Sequence, residues 1–164
     1  MFLLDTEVVW QLRGVGSADQ AVATWAARQP RTNLFVSALT LVELGTATRE
    51  VERADKQAAA TISQWMEGML MNAFAGRIVA IDAAVAARAA RLAHPNLADG
   101  LVAASALEHG LVLATLSPAA FKATKVRLLD PRRDGAGDAV VNDTDWRQAS
   151  RNGPVWLRNL FARG

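Results

Sequence analysis

The sequence predicts an α/β fold built on a mainly parallel sheet. Short apolar runs of strand length alternate with longer stretches at helical spacing along most of the 164 residues. The clearest runs, Phe2-Leu3-Leu4 and Leu111-Val112-Leu113-Ala114, read as buried strands. Strands separated by helices need crossover connections, which are right-handed and make the pairing parallel. Open sheets of this kind bind ligands beyond the carboxyl ends of their strands.

The elements follow in order. Phe2 to Leu4 is the first strand, ended by Asp5-Thr6, and Val8, Val9 and Leu12 predict a brief helical turn before Gly14-Val15-Gly16-Ser17. Asp19 can start a helix with Val22, Trp25 and Ala26 on one face, stopping before Pro30. Leu34-Phe35-Val36 is the second strand. Ser37 is then a natural N-cap for a helix that turns Leu39, Val42, Leu44 and Ala47 largely inward. Residues 55–75 predict one long helix, with Ile62, Trp65, Met66, Met69 and Leu70 at helical spacing and Gly76 at its end.

Residues 77–80 are the third strand, and Asp82 caps a helix rich in alanine and arginine that ends near His94-Pro95. Residues 97–108 form the next helix, closed by Gly110. Residues 111–114 are the fourth strand, ending at Thr115. A turn at Pro118 and a short helix around Phe121 lead to a last strand at 126–129.

Beyond Asp130-Pro131 the texture changes. We expect one domain over 1–131 and an extension over 132–164: a polar linker, Arg132-Arg133-Asp134-Gly135-Ala136-Gly137-Asp138, and then a helical segment after Pro154 with Trp156, Leu157, Leu160 and Phe161 facing one way. That face would pack on the domain or dock a partner.

Composition narrows the function classes. With 51% hydrophobic residues the chain is long enough for one domain with a substantial core. No cysteine is present, so disulfides and thiolate metal sites are excluded, which fits a reducing cytoplasm. Met1 to Leu4 runs into Asp5 without the basic and long apolar regions of a signal peptide. No apolar run approaches the roughly 18–20 residues that span a bilayer, so a soluble protein is expected. The net charge is only +2, with fifteen of eighteen basic residues arginine. Most of these read as solvated surface, although guanidinium suits bidentate phosphate contacts.

Three acids stand out against apolar settings: Asp5 at the end of the first strand, Glu43 nearly two turns into the helix after Ser37, and Asp99 in the first turn of its helix. A carboxylate near a helix N-terminus is often only structural. Converging carboxylates without a lysine or arginine beside them repel one another, and a divalent cation offsets that repulsion. His94 and His109 each precede a helix-breaking residue and read as cationic caps at helix ends.

The segments Leu3-Leu4-Asp5-Thr6, Ser37-Ala38-Leu39-Thr40-Leu41-Val42-Glu43-Leu44, Ala98-Asp99-Gly100-Leu101-Val102-Ala103-Ala104 and Gly110-Leu111-Val112-Leu113-Ala114-Thr115, in this order, resemble the PIN-domain nucleases, and among them toxins of the VapC and FitB kind. The resemblance covers residues 1–131 and implies a three-layer α/β/α fold with a four- to five-stranded sheet. It implies a metal-dependent endoribonuclease, the toxin of a type II toxin–antitoxin pair, with RNA as substrate, a small cognate antitoxin as partner and a homodimeric assembly. The long helix at 55–75 could contribute to the dimer surface. Asp5, Glu43 and Asp99 would be catalytic and hold Mg2+ or Mn2+. Hard divalent cations prefer carboxylate oxygens, and a water they acidify can attack phosphorus. Thr6, Ser37, Thr40 and Thr115 would orient those acids or contact phosphate. For Ser37 and Thr40 the simpler role of a cap or strand-end hydrogen bond comes first.

The chain departs from that pattern in two places. The family usually carries an acid or asparagine two residues beyond the threonine, and sometimes another acid before the aromatic residue. Here those positions are Ser117 and Ala120, ahead of Phe121. Glu7 stands where asparagine is usual and is a candidate substitute ligand. Ser117 leaves a second expectation open: a weakened PIN-like module that binds RNA or a protein without cleaving.

Overall fold

The computed structural model of the chain describes residues 1–14 and 20–135. Of the extension expected over 132–164, the part from 136 on, with its Pro154 helix, lies outside the described residues, as does Asp19. Five strands, β1 (Phe2–Leu4), β2 (Leu34–Ser37), β3 (Ile78–Val79), β4 (Val112–Ala114) and β5 (Leu128–Leu129), form one sheet in the order β3-β2-β1-β4-β5. Every pairing is parallel, with Leu4 opposite both Val36 and Ala114. The helices are α1 (Thr6–Gln11), α2 (Gln20–Arg28), α3 (Ala38–Ala54), α4 (Lys56–Trp65), α5 (Met71–Ala73), α6 (Ala83–Leu92), α7 (Leu97–Glu108) and α8 (Pro131–Gly135).

Alternation along β1 explains the three layers. Leu4 joins Val8, Trp25, Val36, Leu44, Trp65 and Phe74 in one core, while Leu3 joins Val102, Ala106, Leu113 and Phe121 in another on the opposite face. Successive side chains of a strand point to opposite faces, so a strand covered on both sides must be apolar at each residue. Phe2 meets Trp25 edge to face at 5.3 Å between ring centroids. At roughly 25 cal/mol per Å2 of apolar surface, burial of side chains of this size is the main stabilising term.

The chain runs from β1 outward through β2 to β3, then crosses back to place β4 on the other side of β1. The order therefore reverses between β1 and β4, and it is at such a reversal that the loops diverge and leave a crevice.

Several local expectations change. The expected long helix over 55–75 is present as one unbroken helical run over 56–73, with a π-helical turn inside it. Asp55 breaks from α3 in an extended conformation and caps α4, accepting from the Ala58 amide at 3.0 Å, and the end of α4 widens into a π-helical turn, Met66–Leu70, before α5. Val42 is 62% exposed, because the inward face of α3 is carried by Thr40, Leu44 and Thr48 instead. The beginning of the expected linker is helical: Asp130 accepts from the Arg132 amide through Oδ1, Pro131 occupies the first turn, and α8 packs on α2. His94 does not cap α6. Ala93 takes a left-handed φ of 47°, which turns His94 toward the 3-10 segment Pro118–Thr124. Gly110, at φ 63°, ends α7 and delivers the chain into β4. Among the described residues no helix is long and apolar enough to cross a membrane.

Candidate active site

Asp5 follows the last residue of β1, and its amide continues the ladder by donating to Ala114 O at 2.9 Å. Its extended backbone makes it the N-cap of α1, with Oδ1 accepting from the Thr6 amide at 2.8 Å. Oδ2 accepts from Thr115 Oγ1 at 2.6 Å, so the residues that follow β1 and β4 are tied together at the point where strand order reverses. Thr115 is fully buried. Its oxygen also accepts from the Ser117 amide at 3.1 Å, which fixes the hydroxyl proton toward Asp5.

On the other side Thr6 Oγ1 donates to Glu43 Oε2 and lies 3.4 Å from Thr40 Oγ1. A hydroxyl has one proton, so with Glu43 receiving it the Thr40 hydroxyl donates to Thr6. Thr40 thus belongs to the carboxylate network. Ser37 does what a cap does, accepting from the Leu39 amide at 3.1 Å. Ser117 Oγ donates to Glu7 Oε2 at 3.1 Å. One continuous chain of contacts therefore runs Glu43, Thr6, Asp5, Thr115, Ser117, Glu7.

Burial pushes the Asp5 carboxyl above its ordinary range; the bonds from Thr115 and Thr6 oppose this, and the charges of Glu7 and Glu43 add to it. Desolvation is the largest of these influences, and it disfavours the charged form of Asp5.

Asp99 stands apart. It lies in the first turn of α7, half-buried, with its amide donating to Asn96 Oδ1 at 3.1 Å. Its charge, after hydrogen bonds to the carbonyls of Ala120 and Asn96, helps raise the pKa of His94. His94 bridges those two carbonyls at 3.0 and 2.8 Å and stacks on Phe121. Gly100 permits this: a Cβ there would meet His94 Cβ at 3.1 Å. His109 is the C-cap residue of α7. Among the described residues the Asp99 carboxylate accepts no hydrogen bond, and no three acid or histidine side chains are gathered closely enough to chelate an ion as they stand.

The donor chemistry nonetheless fits a hard divalent cation. Asp5 is a desolvated carboxylate raised further by two neighbouring acids, which is the electrostatic condition that a cation relieves. The Arg132 guanidinium is engaged by Asp130, at 2.8 and 3.0 Å, and by the Leu116 carbonyl at 2.6 Å.

A cleft of about 440 Å3 opens beside this network, lined by Thr6, Glu7, Trp10, Glu43, Ser117 and Arg132 among others. Two of these were missed by sequence reasoning. Trp10 follows Glu7 by three residues and so shares its helix face, a spacing visible in the sequence. Arg132 was assigned to the linker, although Asp130-Pro131 is a helix-start signal.

Comparison with known proteins gives consistent matches. The family model for the PIN domain matches residues 2–125. The chain is 30% identical over 140 residues to VapC ribonuclease Y4jK of Sinorhizobium fredii, covering 80% of this chain and 97% of that protein. It is 30% identical over 143 residues to Toxin FitB of Neisseria gonorrhoeae, covering 82% and 100%. The crystal structure of FitAcB from Neisseria gonorrhoeae superposes with a TM-score of 0.74 at 27% identity, over 80% of this chain and 98% of that one. FitAB bound to an IR36 DNA fragment superposes with a TM-score of 0.71 at 28% identity, over 80% and 96%.

Proposed function

Because the chain belongs to the PIN-domain family, we propose that it is a divalent-cation-dependent endoribonuclease, the toxin of a type II toxin–antitoxin pair. The observation that carries this reading is the connected chain from Glu43 through Asp5 to Glu7, strung across the strand reversal in a fold shared with a ribonuclease and a toxin. Asp5, Glu43 and Asp99 hold Mg2+ or Mn2+, and Glu7 supplies the acid absent at Ser117. A cation bound there supplies Lewis-acid stabilisation of charge developing on the phosphate and a water acidified toward hydroxide.

The protein's own groups do the rest. Thr115 and the Thr6 amide hold both oxygens of Asp5, and Thr6 fixes Glu43, so these carboxylates are oriented before substrate arrives. Ser117 holds Glu7 toward the same cleft. RNA is the substrate, a small cognate antitoxin covers the cleft, the chain acts as a homodimer, and the setting is cytoplasmic. The ribonuclease name of the Sinorhizobium relative supports the substrate, and the structures of FitAB support a partner protein.

The test is purified protein with labelled RNA, with and without Mn2+, beside Asp5→Asn and Asp99→Asn. Cleavage by the parent that needs Mn2+ and disappears in both variants is expected; cleavage surviving both substitutions would rule the reading out. Ser117 favours a second reading, a PIN-like module that binds without cutting. Stable RNA binding with no Mn2+-dependent cleavage selects it.

A further inference from the structure

Among the described residues no side-chain bond joins Asp99 directly to the contacts that run from Glu43 to Glu7, but His94 spans the interval. Its Nε2 lies 3.0 Å from Ala120 O and its Nδ1 2.8 Å from Asn96 O. On one side of the ring, Asn96 caps α7: its Oδ1 accepts from the Asp99 amide at 3.1 Å, and its carbonyl accepts from the Gly100 amide at 3.0 Å. On the other side, the Ala120 amide donates to Ser117 O at 3.0 Å, and Ser117 Oγ donates to Glu7 Oε2 at 3.1 Å. Two close fits hold the ring in this place. It stacks on buried Phe121, with 6.3 Å between centroids and 21° between planes. Its Cβ also lies where a Cβ on residue 100 would stand only 3.1 Å away, so glycine is what lets it rest on the first turn of α7.

From this we infer that His94 is a positioning residue for Asp99: it ties the first turn of α7 to the segment that begins at Ser117, and so sets Asp99 against the acids around Asp5. The inference rests on the nuclease reading above, in which Asp99 holds a cation together with Asp5 and Glu43. Capping does not need the ring, since Asn96 already caps α7, and a half-buried imidazole adds little to the apolar core. What it adds is a polar link between two segments that would otherwise meet through apolar packing alone, Phe121 against Val102 and Ala106. The link survives a change of charge. With a proton on Nε2 only, the ring donates to Ala120 O and accepts from the Asn96 amide at 3.2 Å. With both nitrogens protonated it donates to the two carbonyls. A metal ligand is only as well placed as the groups that fix its backbone, and loss of such outer partners typically weakens metal binding by about ten- to a hundredfold.

The test is a double-mutant cycle on the full chain, read by calorimetric titration with Mn2+: the parent, His94→Phe, Asp99→Asn and the two together. His94→Phe keeps a ring against Phe121 and removes both nitrogens. It is expected to weaken Mn2+ binding about tenfold or more in the parent, and to change it by less than about twofold once Asp99 is asparagine. Equal affinity in His94→Phe and the parent overturns the inference. So does a loss of the same size in both backgrounds, because a residue with a merely structural role acts regardless of Asp99. If circular dichroism shows that His94→Phe is unfolded, His94→Leu takes its place in the cycle, with the same outcomes. A second readout needs no metal. In chelator, His94→Phe should speed hydrogen exchange about tenfold at the Asp99 and Ala120 amides and leave that of Val9, bonded to Asp5 O, as it was. Exchange that does not respond at Asp99 and Ala120 overturns the inference as well. RNA cleavage by the parent is measured alongside. A chain that binds Mn2+ through this cycle but never cuts removes the nuclease reading alone, and Mn2+-dependent cutting by a chain whose Mn2+ affinity ignores His94 removes the positioning role alone.

Discussion

Thr115 Oγ1 donates to Asp5 Oδ2 at 2.6 Å, joining the residues that follow β4 and β1. The two are separated by most of the domain in sequence, yet their strands are sheet neighbours with Leu4 opposite Ala114. The bond makes a desolvated carboxylate and a fully buried hydroxyl each other's partner, and it couples the orientation of Asp5 to the strand reversal.

Thr115→Val preserves shape and removes that donor. It is expected to destabilise the chain by about 1–3 kcal/mol, the cost of leaving a buried acceptor without its partner. Asp5 loses an influence that lowers its pKa, so the acid limb of the pH–rate profile moves to higher pH. Denaturant unfolding and the profile of RNA cleavage check both. An acid limb that stays put would dissociate Asp5 from the observed rate.

The raised pKa of Asp5 has a definite sign in stability. The folded chain holds this proton to higher pH than the unfolded one, because burial and then the charges of Glu7 and Glu43 outweigh the bonds from Thr115 and Thr6. Protonation therefore favours folding. The contribution is full below the ordinary carboxylate range and is lost as pH rises through the raised value. Asp5→Asn should flatten this dependence and stabilise the cation-free protein at neutral pH by about 0.5–2 kcal/mol. Melting curves in chelator from acid to neutral pH test it; a lower neutral Tm for the variant contradicts it.

Mn2+ should raise the Tm of the parent chain, since a ligand bound only by the folded state at one hundred times its Kd adds about 2.7 kcal/mol. Glu7→Gln should weaken Mn2+ binding about tenfold or more. Adding Ser117→Asp to that variant restores an acid at the neighbouring position and should recover most of the loss. Unchanged Mn2+ affinity in Glu7→Gln removes Glu7 from the ligand set.

Asp99 separates catalysis from stability most cleanly. Its carboxylate accepts no hydrogen bond among the described residues, so Asp99→Asn should cost no more than about 1 kcal/mol of helix-dipole interaction. RNA cleavage should fall about a hundredfold or more, a loss of roughly 2.7 kcal/mol in transition-state stabilisation. Full activity in this variant would assign Asp99 to the structure of α7 alone.

Periodicity and punctuation alone determined the strands, the parallel sheet and its helices, because a strand buried on both faces is apolar at every residue and a helix start carries a capping side chain. Ser37, Asp55, Asp82 and Gly110 announce themselves in this way, and so do the acids Asp5, Glu43 and Asp99. Three-dimensional contact decided which polar groups meet. Nothing local in Ser117 says that it donates to Glu7, and nothing in Thr40 says that it turns to Thr6 rather than to its own helix. The outward turn of Val42 is likewise set by how neighbouring elements compete for the same surface. Local sequence encodes the conformation of a segment and the residues available at its ends; only the packed sheet, by choosing which strand ends lie side by side, makes those residues into one site.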